Sequence, residues 1–140
     1  MAISVAALIG TTISQAVFEI RAPASTRVKV LEISAVDVGA VGSGRGLGRP
    51  AAIGVAPVSN PLQMQNPADG ISRVTYATVW NTTNPTAPTI YHRRHAVSTQ
   101  AGINFIWSFP RGLIIPVSET IIVFNISSAA STAWNIVVDE

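Results

Sequence analysis

The chain has 140 residues, of which 48% are hydrophobic and only 11% charged, with a formal net charge of +2 and no cysteine. That is one domain's length with enough apolar content to bury a core, which excludes a disordered chain, a disulfide framework and any thiolate or Cys-bound zinc chemistry. The nine basic residues, eight Arg and Lys29, stand against seven acidic ones, too even and too dispersed a balance for a nucleic-acid binder.

Taken in chain order, the pattern is β. Met1 to Ala16 is apolar and small, without the basic n-region of a signal peptide and with a break at Gly10-Thr11-Thr12; residues 1–14 read as an N-terminal arm or first strand, and 15–140 as the domain proper. No run of about 18 apolar residues suggests a membrane span. Gln15 to Arg21 alternates, with Ala16, Phe18 and Ile20 on one face. Thr26 to Ser34 alternates next, placing Val28 and Val30 opposite Lys29, Leu31 and Ile33. Ala51 to Ala56 is a short apolar run, and Ser72 to Trp80 is rich in β-branched and aromatic residues. Gly102 to Phe109 is the clearest strand, with Ile103, Phe105, Trp107 and Phe109 sharing a face. Glu119 to Ser127 and Thr132 to Val138 close the chain. Runs of this length bounded by Gly, Pro, Asn and Ser are strand signals. Between them, Gly42 to Gly48 reads as a hairpin or contact loop, Pro61 to Gln65 admits a short helix, and the prolines suit loops and strand edges. Seven or eight short strands of this kind predict an all-β, single-domain antiparallel β-sandwich, jelly-roll-like in first preference and immunoglobulin-like in second.

The chemistry-bearing motifs are sparse. Gly42-Ser43-Gly44-Arg45-Gly46-Leu47-Gly48 lacks the spacing of a dinucleotide fingerprint and the Lys-Ser/Thr of a phosphate loop. His92 and His95 have metal-ligand spacing, but no nearby carboxylate or cysteine completes a set. No nucleophile elbow is present, so no catalytic residue, metal or cofactor is assigned and an enzyme is not expected. Tyr91-His92-Arg93-Arg94-His95 is the most distinctive polar stretch and, with Arg45 and Arg49, supplies the candidate partner contacts, since Tyr and Arg are favoured at binding hot spots. Trp107 and Trp134 alternate as core residues. Trp80, ahead of the segment Asn81 to Pro88, is the candidate for an exposed ring, and with Tyr91 it would form a sugar-stacking pair. Asn81-Thr82-Thr83 and Asn125-Ile126-Ser127 match the glycosylation acceptor pattern.

These features together resemble the small capsid decoration (cement) proteins of tailed bacteriophages. The resemblance covers most of the chain: the apolar N-terminal segment, Arg21-Ala22-Pro23-Ala24-Ser25-Thr26-Arg27-Val28-Lys29-Val30-Leu31-Glu32-Ile33, the Gly/Ala-rich stretch to Pro57, the aromatic strand Gly102 to Phe109, Gly112-Leu113-Ile114-Ile115-Pro116, and the ending Glu119 to Ile126 followed by Trp134 to Glu140. It implies a β-sandwich or β-tulip fold and a homotrimer on the outer surface of the virion, bound to the major capsid protein and stabilising the shell. It implies neither a specific nucleic acid nor a membrane as partner, and synthesis in the host cytoplasm. Met1 to Gln15 would be an arm that orders on the shell, and Arg45, Arg49, Arg93 and Arg94 would meet acidic patches. The alternative is a head-fibre, tail or adhesion module that binds surface glycans through Trp80 and Tyr91.

Overall fold

In the computed structural model, residues 2–4, 8–9, 15–39, 42–66, 68, 70–97, 99–127 and 131–140 are described. They form β1 (Ala2–Ser4), β2 (Leu8–Ile9), β3 (Ala16–Arg21), β4 (Val28–Asp37), β5 (Ser43–Pro50), β6 (Val55–Pro61), β7 (Gln63–Met64), β8 (Thr75–Thr83), β9 (Pro88–Val97), β10 (Asn104–Ile115), β11 (Thr120–Ser127) and β12 (Thr132–Asp139). Two antiparallel sheets pack as a β-sandwich. The first has the order β10-β4-β12-β1-β7, with β2 also pairing β12; the second has the order β6-β8-β3-β11-β5-β9. In the N-terminal segment, Ala2–Ser4 and Leu8–Ile9 run antiparallel along β12, and residues 1, 5–7 and 10–14 lie outside the described set.

The core between the sheets takes alternate residues from each strand. From β10 come Phe105, Trp107 and Phe109; from β12, Trp134, Ile136 and Val138; from β11, Ile121 and Val123; from β3, Phe18 and Ile20. Phe105 meets Trp107 and Trp134 with ring centroids 4.9 and 5.7 Å apart, and Phe18 meets Trp134 edge-on at 5.1 Å. The alternation expected of β10 is the one observed, because Asn104, Ile106 and Ser108 point outward. In β4 the expected alternation is corrected. Leu31 is an extra residue between the pairs Val137–Glu32 and Val138–Val30. This bulge switches the inward face from Val28 and Val30 to Ile33, Ala35 and Asp37.

β11 is buried on both faces. Its outward residues Ile122 and Phe124 form a second apolar layer with Ala16, Ala77, Trp80 and the half-buried Tyr91. That layer explains the strand that the sequence reading takes for a loop, Gly42 to Gly48. In β5 the glycines alternate with Arg45, Leu47 and Arg49, and they point to the outer layer, where neighbours occupy the space of the missing side chains. A Cβ on Gly46 would lie 2.3 Å from the Tyr91 ring, and one on Gly48 only 2.6 Å from the Ile90 carbonyl oxygen. The helix suggested for Pro61 to Gln65 is replaced by the end of β6 and by β7, and the apolar run Ala51 to Ala56 enters a strand only at Val55. Prolines do sit at the edges: Pro57 and Pro61 in β6, Pro88 opening β9, and Pro110 in β10, where the pairing with β4 shifts register between Ser108 and Leu113. Proline has no N–H for the ladder, so an edge tolerates it.

Candidate partner-binding edge

β9 and β10 are edge strands of the two sheets and lie on the same side of the sandwich, so the side chains that close this side come from both. The polar stretch Tyr91 to His95, read from sequence as a loop, is the middle of β9. It pairs with β5 through Arg93–Leu47, Arg94–Gly46 and His95–Arg45, with a register shift at His92 between the Arg93–Leu47 and Tyr91–Gly48 pairs. Partners of Leu47 and Arg45 face the other sheet. Accordingly His95 stacks on Phe105 with ring centroids 4.4 Å apart, and the Arg93 guanidinium carbon sits 5.2 Å from the Phe109 ring centre. Further along, Arg49 Nη2 donates to the carbonyl oxygen of Ile114 at 3.4 Å. Three basic side chains of the second sheet thus lie across the open side onto β10. Arg94 faces out over the Tyr91 ring at 5.0 Å.

His92 is exposed beside them. Partial burial first, then the charges of Arg49 and Arg93, hold its imidazolium below the usual histidine range. Burial lifts the Tyr91 phenol above its ordinary value, against the pull of Arg94. Arg49, Pro50, Ala51, Thr89, Ile90 and His92 line an open groove of about 410 Å3 at this end of β5 and β9. Ile90 stands 75% exposed at its wall.

Two of the sequence-derived candidates leave the surface. Arg45 has no exposed side-chain area: its Nη2 lies 3.2 Å from Asp37 Oδ1, which also accepts from Thr132 Oγ1 at 2.6 Å, and its guanidinium carbon sits 5.2 Å from the Trp134 ring centre. Burial lowers the Arg45 pKa and the neighbouring Asp37 carboxylate only partly restores it. Arg45 is an internal strut between the sheets and not a partner contact. Trp80, expected to be exposed, is 8% exposed and donates its indole N–H to Glu19 Oε2 at 2.6 Å. The other oxygen of the buried Glu19 accepts from Arg21 Nε at 2.7 Å, and Arg21 Nη2 reaches the Gly54 carbonyl oxygen. Sequence reasoning does not foresee this network on the outer face of the second sheet. A buried carboxylate needs partners, and an acid inside an otherwise apolar strand, as Glu19 is, is the signal that could have pointed to it. Of the two acceptor patterns, Asn125 is fully buried and Asn81 exposed.

Across the molecule, the outer face of the first sheet presents a contrasting surface. The register aligns Ile106 with Ser34 and Asn104 with Val36 on β10 and β4, and these with Asn135 and Ala133 on β12. The six form an uncharged patch around a shallow depression of about 330 Å3, with Ile106 59% exposed. Among the described residues no group of three His, Asp or Glu is placed to hold a metal. No family model, curated protein or solved structure matches the chain.

Proposed function

We propose that the chain is a structural virion protein that binds the outer surface of a phage capsid and stabilises the shell as a decoration protein, acting as a homotrimer. The observation that carries this reading is the uncharged patch on the outer face of the first sheet, one row from Glu32. Val36, Asn104, Ile106, Ala133 and Asn135 line a shallow depression with exposed aliphatic groups and no charge among them, the kind of surface that a protein partner covers. The sequence resemblance supplies the identity of that partner. A subunit that binds only the assembled shell stabilises it by mass action, and a symmetric oligomer engages several shell subunits at once. Stiffness suits such a role, because two sheets with an aromatic core give a rigid body that transmits load without rearranging.

The glycan-binding alternative loses its principal residue. A stacking platform needs an open indole face, whereas Trp80 is buried and its N–H is committed to Glu19.

The experiment is light scattering after size exclusion, followed by sedimentation with shells assembled from the major capsid protein. The expected species has three times the 14.7 kDa of one chain, pellets with shells and raises the temperature at which they open. Ile106→Asp should weaken attachment to shells while leaving the fold intact. A wild-type monomer that neither pellets with shells nor alters their opening would refute the proposal.

A further inference from the structure

The geometry points to a second contact surface, the edge formed by β5 and β9, as a docking site for an acidic, extended protein segment whose carboxylates meet Arg49, Arg93 and Arg94 and whose apolar side chain packs on Ile90. This deepens the decoration reading and rests on it for the source of the segment, but the surface chemistry stands on its own observations.

The first is missing counter-charge. Among the described residues, salt bridges join Arg21 to Glu19 and Arg45 to Asp37, and none involves Arg49, Arg93 or Arg94. The second is the way these cations are held. Arg93 lies over Phe109 and Arg94 over Tyr91, so each guanidinium rests against a ring. A guanidinium held against a ring offers paired N–H donors to a carboxylate at a reduced ordering cost. Arg93 spends one donor on the His92 carbonyl oxygen at 2.9 Å, and Arg49 makes only the long bond to Ile114. The third is shape. The groove beside Arg49 and His92 is open, with the Thr89 and Ile90 side of β9 as its wall. β9 has a hydrogen-bonded neighbour on one side only, so an extended segment can lie along it.

Charge complementarity selects the occupant. A nucleic acid would need cations that follow a phosphate backbone over many contacts; here Arg49 shares a groove with Ile90, Pro50 and Ala51, only Arg93 and Arg94 stand near it on β9, and the chain's net charge is +2. Carboxylates spaced along a segment that also carries aliphatic side chains fit both features.

The test titrates the full chain with a capped decapeptide alternating Glu and Val, with its Gln-for-Glu version, and with a single-stranded DNA oligonucleotide of equal charge, at physiological salt. Two charge-matched triple variants are compared after their melting temperatures are shown to be unchanged: R49Q/R93Q/R94Q at the edge, and R27Q/K29Q/R73Q at exposed positions off β9 and β10. The edge triple should weaken Glu-peptide binding by at least about tenfold, the loss of one or two charge-assisted hydrogen bonds, and the control triple by less than about twofold. Equal losses in both triples, equal binding of the Gln peptide, no binding of the Glu peptide, or tighter binding of the oligonucleotide would each overturn the inference. Shell sedimentation separates it from the decoration reading. If wild type and the edge triple attach to shells equally, this inference fails and the decoration reading stands. If the peptide results hold but no shell is bound, the acidic-segment site stands and the decoration reading fails.

Discussion

Arg45 and Arg49 flank Leu47 on one face of one strand, and all three reach toward the first sheet, yet the two arginines live in different media. Arg45 ends on Asp37 and the Trp134 ring with no exposed side-chain area; Arg49 ends at the rim on a single carbonyl oxygen. The difference follows from depth. A cation withdrawn from water must find its counter-charge inside the chain, because the desolvation cost of an unpaired buried ion is several kcal/mol. A rim cation stays hydrated and can leave the counter-charge to a partner. Arg21 stands between the two, a quarter exposed and paired with the buried Glu19.

The largest expected effect breaks the inner member. Asp37→Ala leaves the Arg45 charge buried without its carboxylate and should cost about 3–5 kcal/mol in urea unfolding. The paired change Asp37→Val with Arg45→Met should cost less than Asp37→Ala alone, because it removes both charges and keeps most of the volume. A double variant less stable than the single one would mean that the ion pair, and not the desolvated charge, dominates.

Next comes the intermediate member. Glu19→Ala removes the acceptor of both the Trp80 indole and Arg21, and charge-assisted hydrogen bonds of this kind are worth about 1.5–3 kcal/mol. Tryptophan fluorescence should shift to the red as the ring loosens. An unchanged emission maximum would show that Trp80 is held by Ile122 and Phe124 without the carboxylate.

Gly48→Ala separates the two ends of β5. The new Cβ would lie 2.6 Å from the Ile90 carbonyl oxygen, backbone that moves only if β9 moves. The expected cost is about 1–3 kcal/mol, together with weaker binding of the acidic peptide, while amide protection around Arg45 persists. Loss of protection along the whole strand would show that β5 behaves as one unit.

How much of this is legible in the sequence depends on whether side chains report the strand. β10 and β12 are readable because aromatic and aliphatic residues alternate with Asn and Ser. β5 is not, since every second residue is glycine and the apolar cover comes from Tyr91 and Pro88, far along the chain. Without the strand, Arg45 looks like Arg49, and nothing local distinguishes them: their fates are set by Asp37 and Trp134 at one position and by the sandwich rim at the other. β9 escapes notice for a related reason. An edge strand with one paired side can be as polar as a loop, so Tyr91 to His95 carries no apolar period. The candidate contacts Arg49, His92, Arg93 and Arg94 do fall together at one edge, because they sit on two paired strands. Trp80 is misjudged because its partner, Glu19, is brought to it only by β3–β8 pairing.

The smallest effect addresses the rim alone. Arg49→Gln should change stability by no more than about 0.5 kcal/mol, as surface substitutions do, but it should be visible at His92. Burial and then the charges of Arg49 and Arg93 lower the histidine pKa in the folded chain. A base with a depressed folded pKa binds its proton more readily when unfolded, so its contribution to stability is present above the unfolded pKa and is lost as pH falls through that value and then through the lower folded one. Removing the Arg49 charge should raise the His92 pKa partway toward its ordinary value, burial and Arg93 accounting for the remainder, and should flatten that acid-side loss. The same titration in the presence of the acidic peptide should move wild-type His92 upward, because carboxylates at Arg49 and Arg93 offset the repulsion that depresses it. A wild-type His92 that titrates identically with and without the peptide would place the carboxylates elsewhere on the chain, and the rim would then be, like Arg45, a cation whose environment serves the fold and not a partner.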